Sequence, residues 1–232
     1  MKRVAVLQSN YIPWKGYFDI INSVDLFVFY DDLQYTKNDW RNRNKLKTAN
    51  GASWLTIPVG TNIRRRICDV ELDDPAWQEK HWAALSNCYS GTPHFAQYAD
   101  FFRDVYRGRR WTNLSALNQF LIRAISRDFL GICTEFEDSR TFAPVGTRQD
   151  RLIDLLKKVG ASWYLSGPAA RDYIDPAAFA EAGIELAWQS YGGYPEYEQR
   201  FPPFEHGVSV VDLLFNMGPR APEYIWGWRE ER

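Results

Sequence analysis

The chain has 232 residues, with 28 Lys+Arg against 29 Asp+Glu, three His, three Cys and ten Trp. That length gives one domain of substantial size, or at most two small ones, and 45% apolar with 25% charged residues excludes wholesale disorder. No run of eighteen apolar residues argues for a membrane span, three scattered cysteines make neither a disulfide framework nor a zinc site, and Met1–Leu7 turns polar at Gln8, too early for a signal peptide, so the expectation is a cytoplasmic protein.

The net charge of −1 is unevenly spread. Between Lys37 and Arg66 stand eight bases (Lys37, Arg41, Arg43, Lys45, Lys47, Arg64, Arg65, Arg66) and one acid, Asp39. That segment is +7, which leaves −8 on the rest. A block of this size points to a phosphate-bearing ligand; a solvated hairpin face is the bland alternative.

Along the chain, 3–7 is a short apolar run of buried-strand type. A polar loop follows, then a helix over 17–24 and a second strand over 26–30 that ends in Asp31-Asp32. Strand, loop, helix and strand within about thirty residues is the size of one βαβ unit. Asn50-Gly51 is a hairpin turn signal between 45–48 and a strand over 53–59, with a further strand over 67–72. Asp74-Pro75 opens a helical region, with helices over 75–90, 95–106 and 112–130. Alternation then returns: strand 134–138, helix 147–159 closed by Gly160, strand 162–165 running into Ser166-Gly167-Pro168, a short helix from Asp175-Pro176 to Gly183, and strand 184–188. A Pro/Gly/Tyr-rich loop (191–207) precedes an apolar helix over 208–215. The expected class is α/β: a Rossmann-like, mainly parallel sheet in a single domain over 1–232, with a hairpin and helical insertion at about 37–130.

In open parallel sheets, ligands bind beyond the carboxyl ends of the strands. The first strand ends in Gln8, followed by Tyr11, Pro13, Lys15, Gly16 and Tyr17. The second ends in Asp31-Asp32-Leu33-Gln34, and a later one in Ser166-Gly167. Gln8, Asp31 and Ser166 are expected on one rim, within about 20 Å of each other (roughly six extended residues). The 8–16 loop carries neither a P-loop nor GxGxxG, so a nicotinamide site is unsupported. Gly16 at a helix start leaves N–H groups facing an anion. Asp31 or Asp32 serves as a base or as a Mg²⁺ ligand, and alternation along a strand turns the two apart. Both are expected to matter for chemistry more than for stability. Asn42-Arg43-Asn44 is a dense donor set, and Arg forks a phosphate or carboxylate. His81, on a helix beside Trp77 and Trp82, is a candidate acid or base, with a structural role the commoner reading for such a His.

The residues Gln8-x-x-Tyr11-x-Pro13-x-x-Gly16-Tyr17-Phe18-Asp19, Tyr30-Asp31-Asp32-Leu33-Gln34-Tyr35, Trp40-x-Asn42-Arg43-Asn44 and Leu55-Thr56-Ile57-Pro58-Val59 resemble the WbqC-like family in order along the chain. The match resumes at His81-Trp82, Leu165–Ala170 and Asp212–Asn216. The resemblance implies a place in polysaccharide or related biosynthesis and a glycine (aminoacyl) transferase acting on an amino sugar. A weaker, fold-level resemblance is to nucleotidyltransferase-like α/β enzymes such as pantothenate synthetase. Their His-x-Gly-His motif is replaced here by Trp14-Lys15-Gly16-Tyr17, which leaves Lys15 as the charge in that loop.

The reading is an amide-forming acyl or aminoacyl transferase. Asp31, Asp32, Lys15 and His81 are the catalytic candidates. Gln8, Tyr11, Gly16, Tyr17, Gln34, Lys37, Asn42, Arg43, Asn44, Ser166 and Gly167 are the substrate-binding candidates. The partner is a phosphate-bearing small molecule, with aminoacyl-tRNA, a carrier-bound acyl group or an adenylate made from ATP and Mg²⁺ as donor. The alternatives are an ATP-dependent adenylate-forming ligase and a non-catalytic nucleotide-sugar or RNA-binding protein.

Overall fold

Val4, Ala5 and Val6 are nearly or wholly buried, and Leu26–Phe29 is buried along its whole length. Only strands covered on both faces carry such runs. The computed structural model, which describes residues 1–229, shows them as β1 (Arg3–Leu7) and β2 (Leu26–Phe29), joined by α1 (Lys15–Asn22) and paired in parallel from Val4 opposite Leu26 to Leu7 opposite Phe29. The chain then leaves the sheet. It forms the antiparallel hairpin β3 (Arg43–Thr48) and β4 (Gly51–Thr56), whose turn places Gly51 at φ +98°, a conformation open to glycine. Helices α2 (Ala76–Tyr89), α3 (Phe95–Arg103) and α4 (Leu114–Ala124) follow.

The chain re-enters at β5 (Glu135–Asp138) and continues through α5 (Ser139–Phe142), α6 (Arg148–Lys158), β6 (Trp163–Ser166), α7 (Pro176–Glu181), β7 (Glu185–Trp188) and α8 (Val210–Met217). The five-stranded sheet has the order β5-β2-β1-β6-β7, and every pair is parallel. The fold is α/β and Rossmann-like. One face carries the larger apolar cluster, with Phe18 of α1, Leu121 of α4 and Phe215 of α8 at its centre. The other is covered by α6 and α7 through Leu155, Leu156 and Phe179. From β1 the chain steps outward through β2 to β5, then returns to lay β6 and β7 on the opposite side. The strand order therefore reverses between β1 and β6, where doubly wound sheets bind their ligands.

Several local expectations change. Ile67–Leu72 is no strand: Ile67–Asp69 is a 3₁₀ turn, and Glu71 makes only an isolated bridge with Asn113. Cys68, Val70 and Leu72 are buried in alternation, as a strand would bury them. The Ile67 and Cys68 N–H groups instead donate singly to the carbonyls of Leu33 and Asp31. β4 stops at Thr56, short of Pro58, which has no N–H to donate. The regular parts of α3 and α4 end at Arg103 and Ala124, and each finishes in a wider π turn. α1 begins at Lys15, two residues earlier than its apolar face predicts, so Lys15 and Gly16 lie in its first turn.

Candidate functional site at the carboxyl rim

Gln8 follows β1, Asp31 lies two residues beyond β2, and Ser166 ends β6. These strands are adjacent in the order β2-β1-β6, at about 4.8 Å per strand, so the three residues share one rim. The Ser9 N–H donates to Asp31 Oδ1 over 2.7 Å, which ties the ends of β1 and β2 together. The Tyr17 hydroxyl donates to the Gln8 carbonyl (2.9 Å), and burial, then the nearby Asp31 carboxylate, push its pKa up.

The two acids lie in the turn that follows β2 and point apart. Asp31 is fully buried and accepts from Ser115 Oγ (2.5 Å) and Gln119 Nε2 (3.2 Å) of α4 on its second oxygen. Asp32 points toward the other layer, where Ser139 Oγ donates to it (2.6 Å) and the Arg151 guanidinium pairs with it. Every oxygen of both carboxylates thus accepts a protein donor. The pair has a structural role that strand-end position alone did not reveal: Asp31 fastens α4 to the rim, and Asp32 fastens α6.

Lys15 is the unusual group. It is 3% exposed, and among the described residues no carboxylate pairs with it. Its Nζ donates to the Pro195 carbonyl (3.1 Å) and stands 5.1 and 5.3 Å from the rings of Tyr194 and Tyr197. Burial lowers its pKa to about 8. The neighbouring Trp14 meets Tyr191 edge-on (5.2 Å), and the Tyr191 hydroxyl would stand 3.8 Å from a Cβ built on Gly167. The loop after β7 therefore bridges the start of α1 and the end of β6. Gly16 lies beneath the Trp14 ring, whose nearest atom would be 2.3 Å from a Cβ there. Glycine is needed at that position for packing.

The other candidates divide. Arg41, which sequence reasoning counted only within the basic block, donates to Gln8 Oε1 (2.7 Å) and bonds Asn10 Oδ1. It brings a guanidinium to the rim. Asn42 links Tyr35 Oη to the Ile57 carbonyl, and Asn44 donates to the carbonyls of Tyr11 and Ile12; both are buried clamps inside the hairpin junction. Gln34 and Lys37 are exposed, and Gln34 Nε2 bonds the Ile63 carbonyl (3.2 Å). Arg43 lies on the outer hairpin face, its guanidinium 4.1 Å from the Trp54 ring. Ser166 is buried and receives the Tyr164 hydroxyl at 3.4 Å.

His81 and Tyr11 are away from the rim's surface. His81 Nε2 faces the Thr56 carbonyl (3.1 Å), a pure acceptor, so this nitrogen carries the proton. Nδ1 then accepts from the Tyr11 hydroxyl (2.8 Å), and Tyr11 accepts from Tyr106 (2.5 Å). Burial depresses the imidazole pKa to about 4. His81 is held neutral as the end of a buried chain.

Two further features lay outside sequence reasoning. A cavity of about 440 Å³ opens beside Asp31, lined by Cys68, Asn113, Ser115, Gln119, Phe120, Arg123 and Arg140. Asp19 of α1, fully buried, is gripped by both guanidinium nitrogens of Arg229 (2.7 and 2.6 Å), by Tyr194 Oη (2.5 Å) and by Gln189 Nε2 (2.7 Å). These bonds anchor the loop that walls Lys15. No local sequence signal announces a contact spanning 210 residues.

The model of the WbqC-like protein family matches residues 8–224. An uncharacterized protein of Mycobacterium tuberculosis, Rv1507c, is 45% identical over 227 residues, covering 97% of this chain and 98% of that one.

Proposed function

The chain belongs to the WbqC-like protein family, and from that premise we propose that it is a cytoplasmic amide-forming transferase that moves an acyl or aminoacyl (glycine-type) group onto the amine of a small molecule or nucleotide-linked amino sugar. The observation that carries the reading is Lys15, a buried amine beside the topological switch point with no carboxylate partner among the described residues and a pKa near 8. A general base works best when its pKa lies near the operating pH. In this reading the acceptor nitrogen attacks the acyl carbonyl and forms the C–N bond. Its proton passes to neutral Lys15 Nζ as the bond to the donor's leaving group breaks. The Gly167 N–H is assigned to the oxyanion, and Arg41 to a phosphate or carboxylate of the bound substrate.

The test offers nucleotide-linked amino sugars with two donors, charged tRNA in one arm and ATP plus an amino acid in the other. The product is read by mass as an acceptor heavier by one aminoacyl residue. Pyrophosphate release in the second arm identifies the adenylate-forming alternative. Lys15→Met is expected to lower turnover on the order of 10²–10⁴-fold, as for a lost general base. Affinity for the acceptor with no product in either arm returns the protein to the non-catalytic class, and full turnover by the Met variant removes Lys15 from the chemistry.

A further inference from the structure

Two tryptophans stand in water on the outer face of the β3–β4 hairpin and its approach. Trp40 is 42% exposed and Trp54 44%, with ring centroids 5.3 Å apart and planes tilted by 39°. Burying such rings would be favourable by the largest margin of any side chain, and the fold leaves them out. Their surroundings are cationic. The Arg43 guanidinium lies 4.1 Å and Lys45 Nζ 5.3 Å from the Trp54 ring, and Lys45 is the cross-strand partner of Trp54. Among the described residues, the ion pairs of the Lys37–Arg66 segment are Arg41 with Asp39 and Arg66 with Asp69. Arg43 and Lys45 thus have no carboxylate partner; the Arg43 guanidinium bonds the Asn38 carbonyl. We propose that this face is a platform for single-stranded nucleic acid, with successive bases stacking on Trp40 and Trp54 and the backbone phosphates lying on Arg43 and Lys45.

Three features favour a strand over a single nucleotide. The face is an open hairpin surface, whereas small ligands are held in concave pockets that cover most of their area. It offers two rings, enough for consecutive bases, and each base has a π-face, so stacking needs no particular sequence. Arg43 and Lys45 are alternate residues of one strand, about 7 Å apart at ~3.4 Å per residue, and point to the same side as a run of phosphates requires. The platform also adjoins the rim: the Trp40 carbonyl accepts the Tyr11 N–H (2.9 Å), and Arg41, the next residue, reaches Gln8. A strand laid across the two indoles has one end beside the carboxyl edge of β1. The proposal stands whether or not the protein is a transferase, because it rests on the hairpin alone.

The experiment titrates the full chain into a labelled single-stranded RNA of about twelve nucleotides, within the usual range of site sizes. It is read by anisotropy and by quenching of tryptophan fluorescence. Binding is expected to quench the indoles and to weaken as salt rises. The double variant Trp40→Ala/Trp54→Ala should keep its melting temperature, since both rings are exposed, and lose at least tenfold in affinity. Trp54→Tyr, which keeps a stacking face, should restore most of it. Arg43→Ala/Lys45→Ala should lower the slope of log affinity against log salt by about 1.4, at about 0.7 per phosphate contact for a single strand. Undiminished binding by the Trp variants, equal affinity and quenching with heparin, or equal affinity for a mononucleotide would each overturn the proposal. So would the absence of binding at low salt. Because no turnover is measured, its failure leaves the transfer reading untouched, and an inactive Lys15→Met variant that still binds RNA separates the two in the other direction.

Discussion

Lys15 carries a conflict that a purely structural residue would not. Its ammonium is buried among Tyr194, Tyr197 and Phe204, and among the described residues its hydrogen-bond partner is the Pro195 carbonyl. A Met at this position fills the same space, contacts the rings favourably and needs no hydration. Lys15→Met is therefore expected to be the more stable protein, by about 1–2 kcal/mol. The variant trades that gain for loss of turnover, and chemical denaturation at pH 7 checks it: a clear loss of stability would mean the amine is structural. The pH dependence has a defined sign. The unfolded state binds more protons between pH 8 and 10.5, so wild-type stability rises across that window and the Met variant lacks the rise. For the reaction, kcat/KM is expected to climb as Lys15 loses its proton and to level off above about pH 8. His81 gives the opposite corner of the profile. Its pKa falls from 6.5 to about 4 on folding, so its contribution is complete above pH 6.5 and is lost as pH falls toward 4. Between pH 6.5 and 5, before the carboxylates titrate, wild type should lose up to about 1.4 kcal/mol per pH unit, and His81→Gln should lose much less. Equal slopes in the two proteins would show that His81 is free to protonate.

At the scale of elements, the rim is held by carboxylates that face away from one another. Asp31 receives the Ser9 N–H, the Ser115 hydroxyl and the Gln119 amide, so it joins β1, β2 and α4 at one point. Asn at this position would set an NH₂ group against donors in a fully buried site. Asp31→Asn is expected to cost on the order of 3 kcal/mol, a fall in melting temperature of roughly 10 °C for a chain of this size. A thermal scan checks this, and an unchanged midpoint would mean the network re-forms around water. Asp32 belongs to the opposite layer, paired with Arg151 of α6. The hairpin is the third element of the rim. Its buried Asn44 and Leu46 face the core while Arg43, Lys45 and Trp54 face outward, so one two-stranded ribbon both packs against the body and presents a charged surface.

Across the whole molecule, the site depends on a contact between distant parts of the chain. Arg229 closes on Asp19 from 210 residues away, and the same carboxylate takes Tyr194 and Gln189 from the loop that walls Lys15. Removing the guanidinium leaves a fully buried carboxylate with only neutral donors. Arg229→Ala is expected to destabilise by about 3 kcal/mol and to expose 189–197 to hydrogen exchange. Wild-type protection throughout that loop would show that Tyr194 and Gln189 hold it unaided.

The order of strands and helices was legible in the sequence because apolar periodicity and Gly/Pro punctuation are local. The runs at 3–7, 26–30, 134–138, 162–165 and 184–188 became the parallel sheet within a residue or two, and the Asn50-Gly51 turn became the hairpin. Strand-end positions also placed Gln8, Asp31 and Ser166 on one rim, because strands of a parallel sheet all end at the same edge. Burial and long-range pairing were not legible. The sequence singles out Lys15 as the charge of its loop but not its burial, which arises only when the 191–207 loop folds over it. That Asp31 and Asp32 point apart was legible, but the partners that use up their oxygens, Ser115 and Gln119 for one and Ser139 and Arg151 for the other, come from distant elements, and Ile67–Leu72 reads as a strand because loops can bury alternate residues too. Composition and spacing are properties of neighbours along the chain; desolvation and hydrogen-bond partners are fixed by neighbours in space, and only the packed fold determines those.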